Sequence, residues 1–401
     1  MSSSTPPVLT GLDLLATSDP SLEGVLRLLA GRTVGLLVNQ ASFDHRLRHA
    51  IDTLIGRPDF RVAAVFGPQH GLWGTTQDNM IEWEGYLDTR LGLPVYSLYG
   101  EHRKPPAAWL EGLQAMVIDL VDVGARYYTF VWTCTYVMER CAELGIPVVL
   151  LDRPNPVNGV DIEGPSIDRS YASFVGRFPI PMRHGMTMGE MLTMFNQTEN
   201  IGCELHIARM QGWQRHMFFE ETGQPWPMPS PNMPTVDTAV VYPGQCLVEG
   251  TKISEGRGTT RPFELVGAPF IDPWELARAL DDEGLEGVRF RPLWFEPTFQ
   301  KHAREACGGV FIAVTDRARF RSVHLTVALF CAIRRLYGDA FEWKAPPYEY
   351  ETVKLPIDIL FGSDAPRLAI DGGAEARDLV ESWGEVERAF EELRRPFLLY
   401  P

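Results

Sequence analysis

Several common signatures are missing from this chain. Its six cysteines, Cys134, Cys141, Cys203, Cys246, Cys307 and Cys331, never form a Cys-x-x-Cys pair, and no histidines fall at zinc-finger spacing. A structural metal site is therefore not expected. Thiols scattered singly over 401 residues suit a reducing compartment and point to the cytoplasm. The first residues show no basic segment followed by an apolar one, and no run approaches the roughly 18 apolar residues of a membrane span. Positive charge is scarce: 37 Lys and Arg stand against 52 Asp and Glu, for a net charge of −15. Neither nucleic acid nor an anionic membrane is an expected partner of such a surface. Also absent are G-x-G-x-x-G, a Walker loop and G-x-S-x-G. Their absence removes the dinucleotide fingerprint, the phosphate cradle and the nucleophile elbow. Nothing here calls for a cofactor.

What is present alternates. TVGLLVN (33–39), RVAAVF (61–66), PVYSLY (94–99), AMVIDLV (115–121) and IPVVLLD (146–152) are short, apolar and rich in β-branched residues, as strands buried on both faces are. Helical patterns lie between them at 22–30, 46–56 and about 128–144. This order predicts an α/β fold, a Rossmann-like parallel sheet over residues 8–200. From about 152 to 270 the chain becomes rich in Pro and Gly, with one clear helix at 187–199, where Thr187 and Glu190 form a capping box. Patterns at 272–282, 288–295, 308–316, 323–338 and 375–395 predict a smaller α+β domain within 201–401.

Ligands of open parallel sheets bind beyond the carboxyl ends of the strands. Polar residues follow all five strands: Asn39, then Gln69 and His70, then Glu101 and Arg103, then Asp122 and Arg126, then Asp152 and Asn155. Asp122 and Arg126 read either as a helix cap with its partner or as an acid and a guanidinium facing a cleft. His70 and His184 sit in Gly- and Pro-rich loops, where packing gives little reason for an imidazole. LVEGTKISEGRGTTRPFE (247–264) brings Glu249, Arg257 and Glu264 as an opposing wall. Carboxylates, amides and aromatic rings in one cleft suit a sugar, and two carboxylates across it would cleave a glycosidic bond.

At this point the motifs matter more than their spacing. FGPQHG, GLPVYSLYG, DVGARYYT, LDRPNPVNG, FVGRFPIPMRHGMTMGE, PSPNMPT, LVEGT and SEGRGTTRPFELVGAP, in this order, resemble the exo-β-N-acetylmuramidases of peptidoglycan turnover (the NamZ type). The resemblance implies a glycoside hydrolase with its cleft between two domains, acting without metal or organic cofactor. It would remove terminal N-acetylmuramic acid from peptidoglycan-derived glycans or muropeptides. Relatives commonly carry Glu in the motif that here reads FGPQHG. Gln69 cannot act as the acid, so the resemblance leads to Glu82 in QDNMIEWEGY as its substitute, opposed by Asp122 and assisted by His70. Gln69, Asn39, Tyr128, His184, Asn232, Glu249 and Glu264 would bind the sugar, and Arg126 with Arg257 its carboxylate. Two other readings remain: a non-catalytic muropeptide-binding protein, and a glycosidase for another amino sugar.

Overall fold

The computed structural model describes residues 7–78 and 80–401. Asn79, inside the acid- and ring-rich stretch singled out above, lies outside the described residues. The large sheet is built from β1 (Thr33–Val38), β2 (Arg61–Gly67), β3 (Tyr86–Asp88), β4 (Leu93–Ser97), β5 (Ala115–Asp119), β6 (Val148–Leu151) and β7 (Leu205–Ala208). Its order is β3-β4-β2-β1-β5-β6-β7, parallel except for β3, which runs antiparallel to β4. Every residue of β5 and β6 is buried, which explains their unbroken apolar sequence. The chain builds outward from β1 in one direction and then returns to add β5 on the other side. That reversal opens a crevice at the carboxyl ends of β1, β2 and β5.

β7 comes from beyond residue 200. A smaller antiparallel sheet follows, with β10 (Cys307–Val314) between β8 (Leu265–Ala268) and β9 (Val288–Phe295). The predicted capping box at Thr187 and Glu190 starts the helix Met188–Thr198. The helix Val236–Gln245 was not legible, because its sequence ends in Tyr-Pro-Gly-Gln and contains Pro243. It packs so closely on the helix Ser322–Tyr337 that a Cβ on Gly244 would stand 1.9 Å from the Ser322 carbonyl oxygen.

Residues 394–400 return to the first sheet. The Tyr400 hydroxyl donates to Asp152 Oδ2 at 2.6 Å, and the Leu399 N–H donates to Glu190 Oε1 at 2.8 Å. Arg394 donates to the carbonyls of Val160, His184 and Gly185. Among the described residues no helix is long and apolar enough to cross a membrane.

Candidate active site

A cleft of about 480 Å³, counting its open mouth, lies at the crevice and is lined from both halves of the chain. β2 ends at Gly67, and the chain turns through His70 (φ 69°) and Gly71 (φ 84°). That turn aims Gln69 inward. Its Nε2 donates to Glu349 Oε1 at 3.2 Å and to the Tyr99 hydroxyl at 3.1 Å, while Thr129 Oγ1 donates to its Oε1 at 2.7 Å. The Tyr99 hydroxyl in turn donates to Glu349 Oε2 at 3.0 Å.

Glu349 is buried and belongs to no motif singled out in the sequence. Burial, with the negative charge of Glu249 nearby, pushes its carboxyl up to about 7 against the hydrogen bonds of Tyr99 and Gln69. Its backbone is left-handed (φ 44°), as is that of Tyr350 (φ 71°), a strained geometry often found at functional sites. Glu249 lies in the opposite electrostatic state. Burial alone would raise it, but Arg257 Nη2 at 2.7 Å and the Tyr348 hydroxyl at 2.8 Å outweigh that and hold it below the usual range. One cleft thus holds a carboxyl that keeps its proton up to about pH 7 and a carboxylate kept charged.

His70 adds a neutral imidazole. Its Nδ1 lies 2.8 Å from the Thr76 carbonyl; a carbonyl only accepts, so Nδ1 carries the proton and Nε2 keeps its lone pair. Burial pushes this histidine down to about 4. Asn232 exchanges two hydrogen bonds with Gln77 and fixes the segment beyond the His70 turn to the second half of the chain.

Of the residues expected from sequence, Gln69, His70, Tyr128, Asn232, Glu249 and Arg257 line this cleft. The others stand elsewhere, each for a physical reason. Glu82 is exposed and lies against Gly100 and Tyr350. Asp122 is buried outside the lining, with Oδ2 accepting from the Gly124 N–H at 2.6 Å and 3.3 Å from His184 Nε2. His184 is fully buried, and its Nδ1 accepts the Met186 N–H. Asp122 therefore neither caps a helix beside Arg126 nor faces the cleft. Arg126 is fully buried and donates to the carbonyls of Pro165, Ile180 and Leu360. With no acidic partner among the described residues, burial lowers it to about 10. Asn39 is spent on the Pro229 carbonyl and the Ala41 N–H. Glu264 accepts from Thr238 and Arg261 at the start of the helix Val236–Gln245.

The sequence reading missed Glu349 and its neighbour Tyr348. Their signal was Pro-Pro-Tyr-Glu-Tyr at 346–350, an acid between two rings in a Pro-rich turn. A comparable density of acids and rings in QDNMIEWEGY pointed to Glu82.

Two carboxyl groups in different electrostatic states, in a cleft between a parallel sheet and a smaller α+β lobe, fit one class: a glycoside hydrolase on an α/β scaffold. Residues 34–237 match the N-terminal domain of the exo-β-N-acetylmuramidase NamZ family and residues 240–400 its C-terminal domain, so the chain belongs to that family. It is 41% identical, over 98% of its length and 92% of the relative's, to the peptidoglycan β-N-acetylmuramidase NamZ of Bacillus subtilis (strain 168). Two DUF1343 family proteins of Bacteroides fragilis share the fold. One superposes with a TM-score of 0.87 at 30% identity, covering 99% of this chain and all of the other. The second superposes at 0.71 and 26%, covering 98% of this chain and 99% of its own.

Proposed function

We propose that the protein is an exo-β-N-acetylmuramidase that removes terminal N-acetylmuramic acid from peptidoglycan-derived glycans, with Glu349 as its general acid. The observation that carries this reading is the pair Glu349 and Glu249 in one cleft, the first pushed toward its neutral form by burial and the second held as the anion by Arg257 and Tyr348. Glu349 protonates the glycosidic oxygen as the bond to the anomeric carbon breaks. Glu249, ionised and held by Arg257 and Tyr348, stabilises the positive charge that develops on the sugar. The His70 Nε2 lone pair accepts from a sugar hydroxyl or from the attacking water. Tyr128 and Tyr242 in the cleft lining supply aromatic surface for a pyranose ring.

Gln69 keeps a supporting role, since it and Tyr99 fix both oxygens of Glu349. With Gln at position 69, the acid sits one hydrogen bond away, on the other lobe. Replacing Glu349 by Gln should lower kcat about 10²–10⁴-fold, while Glu82→Gln stays near wild type. Wild-type turnover by folded Glu349→Gln would sink the assignment. No step uses a metal, so a chelator should leave the rate unchanged. We also propose a cytoplasmic location, a reading supported by six free cysteines; cell fractionation tests it.

A further inference from the structure

N-acetylmuramic acid differs from N-acetylglucosamine by a lactyl ether ending in a carboxylate. Recognising that difference calls for a cation near the acid, yet the two arginines suggested by the sequence are committed elsewhere. Arg126 is buried on carbonyls, and Arg257 is held between Glu249 and Glu255. Arg103 is different. It follows β4, and its guanidinium carbon lies 3.6 Å from the Tyr350 ring centroid and 5.0 Å from that of Phe174. Among the described residues it makes no ion pair, and its Nε is buried without a hydrogen-bond partner. Its immediate neighbour Lys104, by contrast, is tied to Glu139 and Glu143.

A guanidinium lying over a ring offers its N–H donors at the edge of its plane, the geometry that receives a carboxylate. Tyr350 follows Glu349 directly, and Tyr99 touches both the Glu349 carboxyl and the rings of Phe174 and Tyr350. The cation thus stands one ring away from the acid, at the rim of the cleft and not in its lining, close enough for its charge to act on Glu349. We propose that Arg103 is the specificity residue of this enzyme and binds the lactyl carboxylate of the sugar whose glycosidic bond Glu349 protonates. This inference rests on the muramidase reading. It also has an electrostatic corollary. Arg103 is among the charges that pull the Glu349 carboxyl down, so pairing it with a substrate anion relaxes that pull and keeps the acid protonated to higher pH.

The test compares wild type, Arg103→Met, which keeps an apolar stem on the rings, and Arg103→Lys, using aryl β-glycosides of N-acetylmuramic acid and N-acetylglucosamine. Arg103→Met should lose about 10–100-fold in kcat/KM on the muramic acid substrate, the value of one charge-assisted hydrogen bond. Its rate on the N-acetylglucosamine substrate should stay within about twofold of wild type, with Arg103→Lys intermediate on the first. For wild type, the alkaline limb of kcat should lie above that of kcat/KM on the muramic acid substrate only, because kcat reports the bound complex. Equal losses on both sugars would make the arginine a packing residue and overturn the proposal. Calorimetry with the free sugars separates the two levels. Wild type that fails to prefer N-acetylmuramic acid overturns the muramidase reading itself, whereas a preference that survives in Arg103→Met overturns only the role of Arg103.

Discussion

Gln69 and Glu349 meet across 280 positions of sequence, and their meeting sets the pH behaviour expected of the site. Glu349 moves from an ordinary 4.5 to about 7 on folding, so between those values the folded protein holds a proton that the unfolded chain has released. The stability this group contributes is full below about 4.5 and is lost as pH rises through about 7. Glu349→Gln removes the dependence. The variant should therefore gain more in thermal midpoint over wild type at pH 8 than at pH 5, by differential scanning calorimetry. Activity follows the same proton, and wild-type kcat/KM should fall above about pH 7. A midpoint difference that is the same at both pH values would mean that burial leaves Glu349 unperturbed. Much of this residue-level picture was legible. Gln69, His70, Asn232, Glu249 and Arg257 stand in Gly- and Pro-rich loops where packing has no use for them. The choice of Glu82 rested on its lying only 13 positions from Gln69 in a stretch dense in acids and rings, and nearness along a chain says little about nearness in space. Arg126 misled for another reason: a sequence cannot distinguish a guanidinium for a carboxylate from one that collects backbone carbonyls.

At the scale of elements, the parallel strands were legible because burial on both faces leaves a continuous apolar run. The capped helix at Met188 was legible because its cap is local. The helix Val236–Gln245 was hidden because tertiary packing overrides what Pro243 and Gly244 suggest locally. Pro243 still contributes, since its carbonyl accepts the Tyr127 hydroxyl at 2.9 Å and so ties the second lobe to the cleft floor. Gly244 is required for a steric reason, the 1.9 Å approach to the Ser322 carbonyl. Gly244→Ala must force this helix away from Ser322–Tyr337, at a cost of roughly 1–3 kcal/mol or more for overpacking. Chemical denaturation should show a lower midpoint with an unchanged slope. An unchanged midpoint would show that the two helices slide apart freely.

For the whole molecule, the site exists only when both lobes are in place, because the acid and its hydrogen-bond donors come from different lobes. Residues 394–400 strengthen that union from the far side. Asp152, at the end of β6, is buried enough to be pushed up to about 6, with the Tyr400 hydroxyl and the Gly189 N–H pulling the other way. Tyr400→Phe leaves that oxygen one donor short and should cost about 1–3 kcal/mol, read by urea denaturation; an unchanged midpoint would mean that Thr187 and Gly189 suffice. The clasp also has a meaning in time. A polypeptide is made from its amino end, so Asp152 is translated 248 residues ahead of Tyr400. Until then the first lobe waits with a buried acid short of a partner and an unlatched edge. A nascent chain that has not yet reached Arg394 lacks these bonds, which leaves that edge of the first lobe open to a protease or a chaperone.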